Sequence, residues 1–307
     1  MLAEPSYIIM IKFVENFKDY EVLDCGNGEK IERFGDYILR RPDPQAIWHP
    51  QNFKKYKVNA IYHRSSKGGG SWEFIDLPKS WKISYDVGKK SDNAKMVFNL
   101  KPFTFKHTGV FPEQAVNWNF IYDFCNKNTG NKNELKVLNL FAYTGGATMA
   151  AALAGAKVTH VDASKGMVSW AKENAESSSI PNDRIRWIVD DCKKFVEREI
   201  RRGNLYDGII MDPQSYGRGP NGEVWKIEDS IFDFVNLTMK LLSKKNSFII
   251  LNSYTTGLQA GTMDYILNDA AKQNKLNGTT ESYEIGLKVS STDLVLPEGA
   301  TTIFYSC

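Results

Sequence analysis

From Lys136 onward, short runs of β-branched and aliphatic residues alternate with stretches whose apolar positions recur at helical spacing. The runs Lys136–Phe141, Lys157–Val161, Ile185–Val189, Tyr206–Met211 and Ser247–Leu251 predict five strands. The stretches between and after them predict helices over Ala147–Ala154, Gly166–Ser177, Lys193–Arg201, Glu228–Leu242 and Met263–Gln273. Gly155 and Gly203 stand where two of these should stop, because glycine accepts the left-handed conformation of a helix C-terminus. Such alternation indicates an α/β fold, a parallel sheet covered by helices. Ser282–Ser290 and Thr301–Tyr305 fit an antiparallel pair at the sheet edge. About seven strands result, more than a minimal nucleotide-binding unit needs.

The first ninety residues read differently. Glu21–Cys25 and Tyr37–Arg40 flank Gly26, Asn27 and Gly28, a turn composition between strand-like runs. Pro42, Pro44 and Pro50, then Gly68 to Gly70, break any long helix. Trp72–Ile75 and Lys82–Tyr85 add two more strands. A small β-rich domain over 1–95 therefore precedes the larger unit at 96–307. No internal repeat is present, which disfavours a solenoid.

Composition narrows the class. A chain of 307 residues buries one full core and carries a smaller second unit. Its apolar fraction of 42% and charged fraction of 24% argue against wholesale disorder. No apolar run is long enough to cross a bilayer, and the N-terminus lacks the order of charged, apolar and small residues that marks a secretory leader. A cytoplasmic location is expected. Cys25, Cys125, Cys192 and Cys307 stand far apart without metal-like pairing, and read as free thiols. Net charge is +3, but residues 1–110 hold 18 Lys/Arg against 13 Asp/Glu, and the remainder 21 against 23. That asymmetry fits a mildly basic substrate-gripping module beside a cofactor module, and equally an ordinary solvated surface.

Four candidate sites follow consecutive strands. After the first come Tyr143, Thr144, Gly145 and Gly146, where glycines permit close backbone approach and helix-start amides meet polar ligand atoms. Any tight strand-helix turn shares this composition. Asp162 ends the second strand, sixteen residues after Gly146, a spacing suited to a ribose carboxylate or to an acid at a helix start. Asp190 and Asp191 follow the third, as acceptors for an adenine amine or as a helix N-cap. Asp212 and Pro213 follow the fourth, with Tyr216 available to stack on a flat substrate or to pack as an ordinary turn aromatic. Open α/β sheets place ligands outside the carboxyl ends of their strands, so four such signals in order converge on one crevice.

With these residues in place, the sequence resembles the class I S-adenosylmethionine-dependent methyltransferases related to the bacterial large-subunit ribosomal RNA methyltransferases of the RlmI and RlmK type. The similar stretches include Gly28 to Lys30, Glu32 to Gly35, Arg41 to Gln45, Phe105 to Gln114, Leu138 to Ala147, Thr159 to Ser164, Asp190 and Asp191, Asp212 and Pro213, and Gly217 to Pro220. The resemblance implies a Rossmann-like seven-stranded sheet with S-adenosylmethionine as methyl donor and S-adenosylhomocysteine as product. It places Phe141, Ala142, Tyr143, Thr144, Gly145 and Gly146 around the methionine and ribose portions. Asp162, with Ala163 and Ser164, belongs to the ribose, Asp191 and Cys192 to the adenine edge, and Asp212 to the methionine ammonium or the target atom. Thr108, Phe111 and Gln114 fall in a cofactor-covering element, although the same segment also fits a linker between domains. Two departures stand out: Asn139 replaces a common acidic residue, and Gln214 replaces the second proline of the usual Asp-Pro-Pro.

Structured RNA, ribosomal RNA first, is the expected partner, with Asp212 and Tyr216 as the catalytic residues. Carbon-5 methylation of a pyrimidine needs a cysteine nucleophile. None follows the fourth or fifth strand, where Asn252 to Thr255 stand instead, so methylation of a base nitrogen is favoured. A small-molecule or protein methyltransferase and a non-catalytic RNA-binding protein remain alternatives. A dinucleotide dehydrogenase lacks its full Gly-x-Gly-x-x-Gly turn here.

Overall fold

The computed structural model describes residues 10–66, 69–89, 92–103, 106–129, 134–218 and 224–306. Gly68, Phe105, Gly219, Pro220 and Cys307, which figured in the motifs above, lie outside them. The described residues open with the short β1 (Ile11–Lys12) and enter a five-stranded sheet in sequence order. Its strands are β2 (Tyr20–Gly26), β3 (Glu29–Phe34), β4 (Tyr37–Pro42), β5 (Ala60–Arg64) and β6 (Gly70–Phe74). Asn27 and Gly28 form the β2–β3 turn with φ of 52° and 77°. Positive φ at both positions is what a two-residue hairpin matching strand twist requires, and Asn-Gly supplies it.

The strand after that turn is therefore β3, and Tyr37 starts the next strand rather than the partner. β3 escapes a hydropathy reading because four of its six residues are charged. Lys30 and Glu32 are nevertheless buried. Arg41 clasps both oxygens of Glu32 at 2.7 and 2.8 Å, and the Tyr20 hydroxyl donates to Glu32 at 2.6 Å. Lys30 reaches Asp43 at 3.0 Å and Glu298 at 2.5 Å. Buried charges persist only when paired and hydrogen-bonded, and these are.

β7 (Trp81–Asp86) and β8 (Lys95–Leu100) form a separate antiparallel hairpin. The expected division at residue 95 falls at the start of β8. After it come α1 (Ala115–Asn128), β9 (Lys136–Leu140), α2 (Gly146–Leu153), β10 (Lys157–Asp162) and α3 (Lys165–Ser177). The chain continues through β11 (Ile185–Val189), α4 (Cys192–Arg202), β12 (Gly208–Met211), the hairpin β13 (Tyr216–Arg218) and β14 (Val224–Lys226), and α5 (Ile227–Met239). It closes with β15 (Ser247–Ser253), α6 (Ala260–Gln273), β16 (Gly278–Lys288) and β17 (Val295–Ser306). Side chains of α3 and its C-cap serve β8 as a substitute neighbour: Ser178 Oγ and Asn174 Oδ1 accept from the amides of Val97 and Asn99, each at 2.8 Å.

The main sheet runs β1-β16-β17-β15-β12-β9-β10-β11. β15, β12, β9, β10 and β11 are mutually parallel, and β17 is antiparallel to β15 and β16. The expected antiparallel pair is present but not outermost, because Ile11 and Lys12 add β1 alongside β16. Alternation along β9 divides the core. Val137 joins the cluster holding Ile121, Met149 and Ala150, while Leu138 and Leu140 join Phe195, Phe234 and Met263 on the opposite face. Helix α1 was missed although its buried Ala115, Trp118, Ile121, Tyr122 and Cys125 recur at helical spacing.

Candidate active site

β9 has β10 on one side and β12 on the other, so the chain direction of the crossovers reverses there. At such a switch point the loops leaving the two strands diverge and open a crevice. Here a cleft of about 1550 Å³ lies along the carboxyl ends of β9, β10, β11, β12 and β15. Of the residues singled out from the sequence, Phe111, Phe141, Tyr143, Asp162, Ala163, Asp191, Cys192 and Asp212 line it. Thr108, Gln114, Ala142, Thr144, Gly145, Gly146, Ser164 and Tyr216 do not.

On the β9–β10 side the loop is held in uncommon backbone geometry. Phe141 and Tyr143 have φ of 54° and 50°, a region that non-glycine residues occupy only when their surroundings impose it. Asp162 does so: Oδ2 accepts from the Tyr143 amide at 2.9 Å and Oδ1 from the Ser164 amide at 2.8 Å. Burial raises the Asp162 carboxyl despite both bonds. Thr144 is tied inward, donating to the Gly109 carbonyl at 2.7 Å. A Cβ on Gly146 would lie 2.8 Å from the Trp118 indole, so glycine is required there by packing against α1.

Asp191 is the N-cap of α4, accepting from the Lys194 amide at 2.8 Å with Oδ1, and its side faces the cleft. Cys192 Sγ accepts from the Phe141 amide at 3.3 Å, and burial holds the thiol well above its ordinary range. A protonated, bonded thiol is no nucleophile. Asn139 turns away from the cleft: its amide donates to Thr148 Oγ1 at 2.9 Å, which in turn contacts His160 Nδ1 at 2.9 Å. Burial pushes the His160 imidazole down to about 3, so it is neutral. The absent acid at this position is a core feature of this chain.

The β12–β15 side carries residues the sequence did not flag. Asp212 is raised to about 6, chiefly by burial, with Glu113 adding repulsion and a bond from Asn252 Nδ2 at 3.0 Å opposing it. Glu113 is itself buried and raised by desolvation. Tyr254 lines the cleft beside Phe111, ring centroids 5.5 Å apart, and Phe111 lies 5.3 Å from Tyr143. Tyr216 sits on β13 with its ring half-exposed, outside the lining. Gln214, in place of proline, folds over Gly217, where a Cβ would clash with its amide. Trp225 Nε1 donates to the Gln214 carbonyl at 2.7 Å, and Ser215 Oγ lies 2.6 Å from Thr255 Oγ1. These bonds fix the loop that a second proline would stiffen.

The N-terminal sheet and the segment after β8 supply a third wall. Lys30, Arg41, Lys106 and His107 all face the cleft. Burial and the three neighbouring cations push His107 down to about 4. Lys30 meets Glu298 of β17, so one ion pair ties the small sheet to the large one.

A sheet of five parallel strands continued by an antiparallel hairpin, with cleft-lining acids at the end of β10 and after β12, defines the fold of a class I S-adenosylmethionine-dependent methyltransferase. The comparisons agree. No family model matches the chain. A crystal structure of an S-adenosylmethionine-dependent methyltransferase from Agrobacterium tumefaciens is 33% identical, covers 97% of this chain and 94% of its own, and superposes with a TM-score of 0.85. A ribosomal RNA large subunit methyltransferase K/L of Shewanella sediminis is 32% identical over 248 residues, 78% of this chain. That of Shewanella frigidimarina is 29% identical over 224 residues, 72% of this chain. The chain spans 30% and 28% of those two relatives' lengths. The chain belongs to the class I S-adenosylmethionine-dependent methyltransferases. No described helix is long and apolar enough to cross a membrane.

The residues present fit the methyl donor. The Tyr143 hydroxyl is buried with no hydrogen-bond partner among the described residues, and each oxygen of the cleft-lining Asp162 accepts one bond and has capacity for a second.

Proposed function

We propose that the protein methylates a nitrogen on a nucleobase of ribosomal or other structured RNA, in the cytoplasm. The observation that carries this reading is Asp212, a cleft-lining carboxylate held by Asn252 with the aromatic Tyr254 on the adjoining strand end. A carboxylate so placed accepts from an N–H of the acceptor and takes up the proton released when that nitrogen gains a fourth bond. The methyl donor supplies an electrophilic methyl group on a sulfonium. Asp162 would hold its ribose hydroxyls, Asp191 and Cys192 its adenine edge, and Phe141, Tyr143 and Phe111 its flanks. Positioning of the acceptor does most of the remaining work, since displacement at a methyl carbon needs in-line alignment. Among the described residues Cys192 is the cysteine that lines the cleft, and its protonated, bonded thiol supports nitrogen over carbon-5. A base within a duplex must first be flipped out. Residues 1–95 form the acceptor-side unit in this reading, with Lys30 and Arg41 at the cleft. The names of the K/L relatives support ribosomal RNA as acceptor.

Mass spectrometry of ribosomal RNA nucleosides, with and without the protein, tests it. One methylated base that disappears with the protein, and returns when purified protein and S-adenosylmethionine are added, is the expected result. Transfer to metabolites or polypeptide with none to RNA would overturn it.

A further inference from the structure

A continuous chain of hydrogen bonds runs behind the cleft wall from β15 through α1 and β17 and back. Gln114 Nε2 donates to the Tyr254 hydroxyl at 2.9 Å. Gln114 Oε1 accepts from Asn117 Nδ2 at 2.8 Å, and the same Nδ2 donates to Thr301 Oγ1 at 3.0 Å. Thr301 Oγ1 then donates to Asn252 Oδ1 at 2.7 Å, and Asn252 Nδ2 donates to Asp212 Oδ1 at 3.0 Å. The Tyr283 hydroxyl fills the remaining acceptor, Asn117 Oδ1, at 3.1 Å. Asn117, Thr301, Asn252 and Tyr283 are each no more than 2% exposed.

Every link constrains the next. Asn117 uses both amide protons, so its orientation is fixed. Thr301 accepts from Asn117 and gives its one proton to Asn252 Oδ1, and a flipped Asn252 would set its carbonyl oxygen against the Asp212 carboxylate. Asn252 therefore cannot flip its amide, and presents N–H to Asp212. At the other end Gln114 is fixed in the same way and holds Tyr254. Satisfied networks of this kind rigidify a core, and a broken link leaves costly unpaired groups. None of the four connecting residues Gln114, Asn117, Thr301 and Asn252 lines the cleft. They act through Tyr254 and Asp212, which do.

We propose that this chain is a positioning device that sets the Tyr254 ring and the Asp212 carboxylate against one planar acceptor bearing an N–H. Tyr254 offers the flat surface and Asp212 reads the edge. The identity of that acceptor as a nucleobase rests on the function proposed above; the coupling of the two cleft residues does not.

The test is a carbon-13 NMR titration of the Asp212 carboxyl in the full chain, assigned by its loss in Asp212→Asn. Glu113 is the other charged group acting on Asp212, and is unchanged in every variant. Thr301→Val removes one oxygen two links away, and is expected to raise the Asp212 midpoint by about half a unit. Thr301→Ser keeps the hydroxyl and restores it. Should Thr301→Val not fold, Gln114→Met, at the far end of the chain, is expected to give a smaller shift in the same direction. A midpoint unmoved in a folded Thr301→Val or in Gln114→Met overturns the proposal. On a ribosomal RNA transcript, Gln114→Met should raise KM for the RNA and leave KM for S-adenosylmethionine unchanged. A coupled titration with no RNA labelling would overturn the RNA reading alone.

Discussion

Asp212 carries opposite demands on charge. Its carboxyl is raised to about 6, so the fold favours the protonated form. Acceptance of a proton from the substrate requires the ionised one. Methyl transfer is therefore expected to rise with pH through about 6 and level off above it, read from initial rates. The stability effect has the other sign, because a folded value above the unfolded one stabilises at low pH and is lost as pH rises through 6. Asp212→Asn should lower kcat about 100-fold or more. It should also raise Tm by roughly 3–6 °C at pH 8 and leave it unchanged below pH 4, measured by calorimetry. Asp162 is different, since its two oxygens brace the Tyr143 and Ser164 amides as well as facing the cleft. Asp162→Ala is expected to weaken S-adenosylhomocysteine binding about 10–100-fold by titration calorimetry. Unchanged affinity would remove the ribose assignment. Tyr254→Ala should impair turnover more than Tyr216→Ala, since the Tyr254 ring lines the cleft and the Tyr216 ring does not.

Elements differ in how openly their residues announce them. The β9 turn was readable as a ligand-side turn, yet Gly146 is glycine because α1 passes over it. Gly146→Ala must move the Trp118 indole, and is expected to cost about 1–3 kcal/mol in chemical denaturation. Strand β3 hid for the converse reason. Hydropathy treats Lys30 and Glu32 as surface residues, and only their partners Arg41, Asp43 and Glu298 make burial tolerable. Glu32→Gln leaves Arg41 without its carboxylate, and should destabilise by about 3–5 kcal/mol in the same measurement. The Asp191 position carried two readings, N-cap and ligand acid. The structure realises the cap, and leaves the carboxylate at the cleft for the other.

At the scale of the whole molecule the two sheets are not independent. β8 pairs with β7 and is bonded to α3, β1 completes the large sheet, and Lys30 reaches Glu298. A fragment of residues 96–307 loses β1, β7 and Lys30 together. It is expected to show a broadened, lowered thermal transition and weak S-adenosylhomocysteine binding, by calorimetry.

The succession of β9, β10, β11, β12 and β15, their helices and the acids at their carboxyl ends were determined by the sequence alone, because periodic burial and strand-end turns are local properties of the chain. The β9–β12 crevice follows from that order. What only the tertiary structure decided are contacts between residues far apart in sequence. These are the Lys30–Glu298 tie, the 184-residue reach from Asn117 to Thr301, and the choice of Tyr254 over Tyr216 at the cleft. No local pattern encodes these, since each residue's role is set by which partner the fold brings within hydrogen-bond distance.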